Sequence, residues 1–171
     1  MLKAILIGPP GSGKSTVGKA LAKLWECSFA DTDAIIESKS GKKIADIFVE
    51  DGEPAFRILE SSVVAESVNE LSGVLSLGGG AILDPATQKL LGNSNSPIIF
   101  LDVAISQAAP RVGFNKERPL LLVNPRQQWL SLMEKRRPIY EELADFTLST
   151  DNKKPAVVAQ EISEMVSAHE K

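Results

Sequence analysis

Cysteine and histidine occur once each in this chain, and no long apolar run interrupts it. Each scarcity removes a class of function. Cys27 has no partner for an intrachain disulfide and no companion for a thiolate metal centre, so it reads as a small apolar filler at the end of the first helix. His169 lies near the C-terminus, where a solvated side chain is expected, and this excludes a histidine-based mechanism. No apolar stretch approaches the roughly 20 residues that a membrane-spanning helix requires. The N-terminus enters an apolar strand without the charged, apolar and small-residue succession of a signal peptide, so a cytoplasmic location is expected.

A strong charge of either sign is missing too. Nineteen basic and 22 acidic residues leave a net charge of −3, which gives no electrostatic reason to expect nucleic acid or an anionic membrane as partner. Any polyanion must then be held by a local cluster of basic residues. The 43% hydrophobic and 24% charged fractions are those of an ordinary globular protein. A length of 171 residues suits a single domain, 1–171, with one site.

What the chain does have is Gly8-Pro9-Pro10-Gly11-Ser12-Gly13-Lys14-Ser15-Thr16. The stretch matches G-x-x-x-x-G-K-[ST], a phosphate cradle. Its glycines let successive backbone N–H groups turn around a polyphosphate, its lysine reaches the terminal phosphates, and its hydroxyl serves Mg²⁺. Average residue usage gives such a match by chance in roughly one chain of this length in a hundred or fewer. The context agrees: Leu2 to Ile7 reads as a buried parallel strand, and Val17, Leu21 and Leu24 follow at helical spacing. The helix adds its N-terminal partial positive charge. Gly11, Ser12, Gly13, Lys14, Ser15 and Thr16 are therefore the candidate nucleotide-binding residues.

Beyond the cradle, strands alternate with helices. Ser28 to Asp31 reads as a second strand running into Asp31-Thr32-Asp33. A helical excursion follows, broken at Gly41 and Gly52 into Ala34–Lys39, Ile44–Glu50 and Glu53–Asn69. It is too long for a simple crossover and points to a small lobe, about residues 33–60, that binds a second substrate. Val74 to Leu77 reads as a strand ending in Gly78-Gly79-Gly80, and Asp84-Pro85 as a helix start with aspartate at the N-cap. Pro97 to Asp102 is the clearest strand, and Ser106 to Val112 a short helix that Pro110 should kink or end. Residues 113–124 read as a mobile lid. A helix over about Pro125–Glu142, a fifth strand over Phe146–Ser149 and a last helix from Pro155 complete the chain. The fold class is α/β: a five-stranded parallel sheet flanked by helices on both faces, with ligands at the strands' carboxyl ends.

Phosphoryl transfer needs positioning of negative charge more than covalent help, so a cradle, a metal site, an acceptor site and a mobile cation are sought. Lys14 would contact the β- and γ-phosphates, and Ser15 would give its hydroxyl to Mg²⁺. Asp31 can hold that metal directly or through water, or serve only as a helix N-cap. Asp33 can orient an acceptor hydroxyl and take its proton. Asp102, at a strand end, competes with Asp31 for the metal. Arg57, Arg111, Arg118 and Arg136 suit a carboxylate or a transferring phosphoryl group, although on spacing alone each fits a solvated surface.

Taken together, these residues resemble the shikimate kinases, in the nucleoside-monophosphate-kinase-like branch of P-loop proteins. The resemblance spans nearly all of the chain. It is carried by Gly8 to Thr16, Asp31-Thr32-Asp33, Ile44 to Phe48, Asp51-Gly52-Glu53, Phe56-Arg57, Ser76 to Gly80, Arg118 to Leu121, and Arg136 before Pro138-Ile139-Tyr140. It implies phosphorylation of shikimate at its 3-hydroxyl with ATP and Mg²⁺, in aromatic amino-acid biosynthesis; a monomer is expected. It puts Asp33 on the substrate hydroxyls, Arg57 and Arg136 on the carboxylate, and Gly79 and Gly80 at backbone contacts with the substrate. Arg118 becomes the lid arginine over the phosphates, Ser15 and Asp31 belong to the metal, and Arg111 to the adenine face. Phe48 and Phe56 wall the acceptor pocket. A kinase of another anionic polyol such as gluconate, and a nucleotide-binding module that transfers nothing, remain the alternatives.

Overall fold

The computed structural model describes residues 1–112 and 124–169. Strand β1 (Leu2–Ile7) exposes only Lys3 and buries its other five residues, as a central parallel strand must when helices cover both faces. It pairs in parallel with β3 (Gly73–Ser76) on one side and β4 (Ile98–Asp102) on the other. Strand β2 (Phe29–Asp31) joins β3, and β5 (Phe146–Ser149) joins β4, so the all-parallel order is β2-β3-β1-β4-β5. The sheet expected from the sequence is the sheet found.

Alternation along β1 divides the core. Ala4 and Leu6 face α1 (Lys14–Leu24) and α8 (Pro155–His169), packing with Val17, Leu21, Val158 and Ile162. Ile5 and Ile7 face the opposite layer, with Val64 of α4 (Glu53–Glu70), Leu91 of α5 (Pro85–Gly92), and Trp129 and Tyr140 of α7 (Pro125–Leu143). The excursion expected after β2 is present as α2 (Thr32–Ser40), α3 (Ile44–Glu50) and α4. Gly41 closes α2 in the left-handed conformation, and the three helices share a separate cluster of Ile36, Ile47, Phe56 and Val63.

One expectation needs correction and two are refined. Leu24 is 45% exposed; the inward face of α1 is Val17, Gly18, Leu21 and Ala22. Gly18 belongs to it because a side-chain carbon there would lie 2.3 Å from the Phe29 ring, so only glycine lets α1 lie this close to β2. Pro110 does not end its helix at that point: α6 (Ile105–Val112) runs two residues beyond it. The proline removes one hydrogen bond, while Ala108 and Val112 pack against Gly11 and hold the last turn in place. Finally, His169 is exposed but not merely solvated, since its ring stands edge-on to Phe146 at 5.4 Å.

Asp84 caps α5 as its position promised. Its carboxylate accepts from Ala86 N at 3.2 Å and from the hydroxyls of Ser61 and Thr87, tying α4 to the segment that follows the triple glycine. These donors, Ser61 foremost, hold its carboxyl below the usual carboxylate range. A lowered carboxyl contributes stability above its unfolded-state pKa, and that contribution disappears as pH falls through the folded-state value. Asp84→Ala is therefore expected to cost about 1 kcal/mol at neutral pH. The difference from the native protein should shrink in acid, as checked by thermal melts across pH.

Candidate active site

The carboxyl ends of β1, β2 and β3 converge because Leu6 is paired with Ser76 and Ser76 with Asp31. What leaves these strands forms the site. After β1, Gly8 takes φ 151°, and a side-chain carbon there would lie 2.5 Å from the Leu101 carbonyl oxygen. Gly13 caps α1 at φ 89°. Side chains from three other segments pin the loop. Trp129 Nε1 donates to the Pro10 carbonyl at 2.9 Å, Thr150 Oγ1 to that of Ser12 at 2.9 Å, and Arg111 Nη1 to that of Gly11 at 3.0 Å. Ser12 is fully buried, with its hydroxyl unpartnered among the described residues. Lys14 Nζ donates to the Gly8 and Pro9 carbonyls at 2.8 and 3.1 Å, folded along the loop it would serve.

At the end of β2, Asp31 has two tasks. Its Oδ1 accepts from Asp33 N at 2.9 Å and caps α2, while its Oδ2 accepts from Ser15 Oγ at 2.5 Å. The helix-cap role, one of the two alternatives for Asp31, is present, and the other oxygen of the same carboxylate meets Ser15, the second residue expected at the metal. Asp102 is occupied otherwise: Arg137 grips it with two hydrogen bonds of 2.9 Å, and Val103 N donates to it at 2.8 Å. A cavity of about 290 Å³ opens between these elements, lined by Gly11, Gly13, Lys14, Ser15, Thr16, Asp31, Asp33, Gly78, Gly79 and Arg111.

The triple glycine after β3 is packed on three sides. A side-chain carbon on Gly78 would lie 2.8 Å from Asp33 Oδ1 and 2.8 Å from Glu60 Oε2; one on Gly80 would lie 2.5 Å from both terminal nitrogens of Arg57. On Gly79 it would lie 3.2 Å from Pro10 Cδ and 3.4 Å from Arg136 Nη1. The loop thus brings together Asp33, Arg57 and Arg136, which the chain separates widely. Thr32, fully buried, accepts from Gly78 N at 3.0 Å and fixes the start of the loop.

Arg136 is 4% exposed, its Nε has no hydrogen-bond partner, and among the described residues no carboxylate stands within ion-pair distance of it. Burial pushes its guanidinium down from the usual range; Tyr140 beside it acts the other way, and Arg57 adds to the depression. Arg57, by contrast, pairs with Glu60 at 2.7 Å and Glu53 at 3.4 Å and lies over the Phe56 ring at 5.3 Å. Phe56 in turn packs on Phe48, ring centroids 4.7 Å apart. Glu60 is itself buried: desolvation raises its carboxyl and Arg57 opposes the rise. Arg136 is thus a buried cation with no ion pair among the described residues, facing the glycine that meets the phosphate loop. Arg118 lies outside the described residues, as does segment 113–124 apart from Asn124.

The family model described as shikimate kinase matches residues 10–167. The chain belongs to the shikimate kinase family. A shikimate kinase from Thermobifida fusca is 48% identical over 165 residues, covering 96% of this chain and 95% of its own length. One from Streptomyces avermitilis is 45% identical over 168 residues, covering 98% of this chain and 97% of its own. A structure titled shikimate kinase from Acinetobacter baumannii in complex with shikimate superposes with a TM-score of 0.94 at 34% identity, covering 99% of this chain and 95% of that one. Several residues around this cavity had no role assigned from the sequence, although Thr32 and Tyr140 lie within the motifs quoted above. Glu60 had only its i,i+3 spacing from Arg57 to announce it. Thr32, Trp129 and Tyr140 act through carbonyl and amide groups distant in sequence, which no local pattern marks.

Proposed function

We propose that the site transfers the γ-phosphoryl group of ATP to the 3-hydroxyl of shikimate, giving shikimate 3-phosphate and ADP in aromatic amino-acid biosynthesis. The observation that carries this reading is the buried Arg136, without an ion pair among the described residues, against Gly79, which shares a cavity with the phosphate loop and Asp33. The Acinetobacter baumannii protein, so similar in fold, supports shikimate as the acceptor.

In this reading Gly11 to Thr16 cradle the phosphates, Lys14 neutralises charge on the β- and γ-phosphates, and Arg111 and Arg118 flank the nucleotide. Arg57 and Arg136 receive the carboxylate of the acid, while Gly79 and Gly80 allow its ring to approach the backbone. Asp33 accepts a hydrogen bond from the 3-hydroxyl. That oxygen attacks the γ-phosphorus, the bond to the β,γ-bridging oxygen breaks, and the hydroxyl proton passes to the Asp33 carboxylate. Ser15 and Asp31 fit Mg²⁺: they are hard oxygen donors already 2.5 Å apart, and this ion takes few carboxylates and keeps several waters. When bound it offsets the negative charge of the phosphates.

The same reading makes residues 1–171 one domain, with about 33–60 binding the acceptor and 113–124 closing over the nucleotide. It makes the protein a cytoplasmic monomer acting on small molecules, without nucleic acid or membrane as partner. The balanced charge supports this, and among the described residues no helix is long and apolar enough to cross a membrane. A coupled ADP-release assay offering shikimate, gluconate and nucleoside monophosphates side by side is the test. ADP release with shikimate is expected; activity only with one of the others would overturn the assignment.

A further inference from the structure

We propose that the buried stripe of α7 sets the distance between the phosphate loop and the acceptor loop, with Trp129 and Tyr140 as positioning residues at its two ends. The proposal rests on the kinase reading above. Trp129, Met133, Arg136 and Tyr140 are the buried residues of α7. The span from Trp129 to Tyr140 is about three helical turns, which returns both side chains to one face roughly 16 Å apart along the axis.

Each end of the stripe holds a different loop by its carbonyl. Trp129 Nε1 donates to Pro10 O at 2.9 Å, and Tyr140 OH donates to Gly79 O at 2.5 Å. The two loops grow from different strands, β1 and β3, and the sheet fixes only their bases. Above the sheet they meet: a carbon on Gly79 would lie 3.2 Å from Pro10 Cδ and 3.4 Å from Gly8 O. Arg136, between the two fixed points, faces the same glycine and lies beside the Tyr140 hydroxyl. Pro138 removes one intrahelical hydrogen bond between the two ends, yet α7 continues as a single α-helix through it, so one continuous element locates the phosphoryl donor, the acceptor's anion site and the backbone on which the acceptor rests. In-line transfer is sensitive to such alignment, and displacements near 1 Å can cost about a hundredfold in rate.

Trp129→Phe and Tyr140→Phe each remove one hydrogen-bond donor and keep an aromatic ring. Well below the Tm of each variant and at saturating ATP and shikimate, each should lower kcat about tenfold; KM for ATP should change little in both, and KM for shikimate should rise only in Tyr140→Phe, whose hydroxyl also meets Arg136. The double variant should lose no more than the worse single, because releasing either end frees the same distance. Met133→Leu, midway along the stripe and without a polar contact, should shift Tm but not kcat. Independent effects that multiply in the double variant, single-variant kcat values within about twofold of native, or a Met133→Leu loss equal to the others would each overturn the proposal. Native turnover is measured first. Activity with an acceptor other than shikimate would overturn the functional reading alone, and the same cycle is then run with that acceptor.

Discussion

Replacing Lys14 with methionine is expected to leave the fold intact and to lower kcat by about a thousandfold, the scale on which a single preorganised charge acts in a transition state. The fold should survive because the loop's shape is fixed by other groups. Gly8 and Gly13 supply backbone conformations that other residues resist, and Trp129, Thr150 and Arg111 hold its carbonyls. Lys14 Nζ donates to the Gly8 and Pro9 carbonyls and lines the cavity beside the loop. Methionine keeps the length of the side chain and removes its charge. A Tm near that of the native protein with kcat lowered by orders of magnitude is the expected pair of results. A kcat within about tenfold of native would remove Lys14 from the phosphates.

Arg136→Met separates binding from stability in the opposite sense. Its guanidinium is 4% exposed and unmatched by a carboxylate among the described residues, and Arg57 nearby depresses it further. Such a cation is costly until an anion arrives, because Tyr140 and Glu60 offset only part of the loss of water. An apolar side chain of similar length should therefore leave the ligand-free Tm unchanged or raise it. The same change should raise KM for shikimate about a hundredfold, in line with the loss of one partner from a buried charge pair, and leave KM for ATP nearly unaffected. Equal rises in both KM values would show that Arg136 supports the site's shape and not the carboxylate. A large fall in Tm would contradict the account of its burial.

How far these residues could be read without coordinates depended on the range of the physics behind them. The phosphate loop is a local device, complete within nine residues between a strand and a helix, and its place was legible at once. The breaks at Gly41 and Gly52 were equally local, since each adopts a positive φ that ends one helix or begins another. Asp84 signalled its cap through the proline that follows it. Leu24 misled because helical spacing alone does not say where the neighbouring sheet stops. Glu60 was hidden because a glutamate in a helix ordinarily faces water, and the Gly78 loop that closes over it is distant in sequence. The hydrogen bonds from Trp129 to Pro10 and from Tyr140 to Gly79 join segments far apart in the chain, and both accept on backbone atoms that every residue carries.

The strand order has a consequence for synthesis. β1 leaves the ribosome first but sits at the centre of the sheet, and its partners β3 and β4 begin only at Gly73 and Ile98. Trp129 and Thr150, which secure the nascent phosphate loop, emerge later still. Long-range pairings of this kind form only after the intervening chain exists, so the N-terminal half cannot acquire its native environment on its own. Nucleotide affinity therefore awaits the synthesis of Thr150, and a chain truncated before β5 and α8 would expose β1 and its apolar neighbours to aggregation or proteolysis.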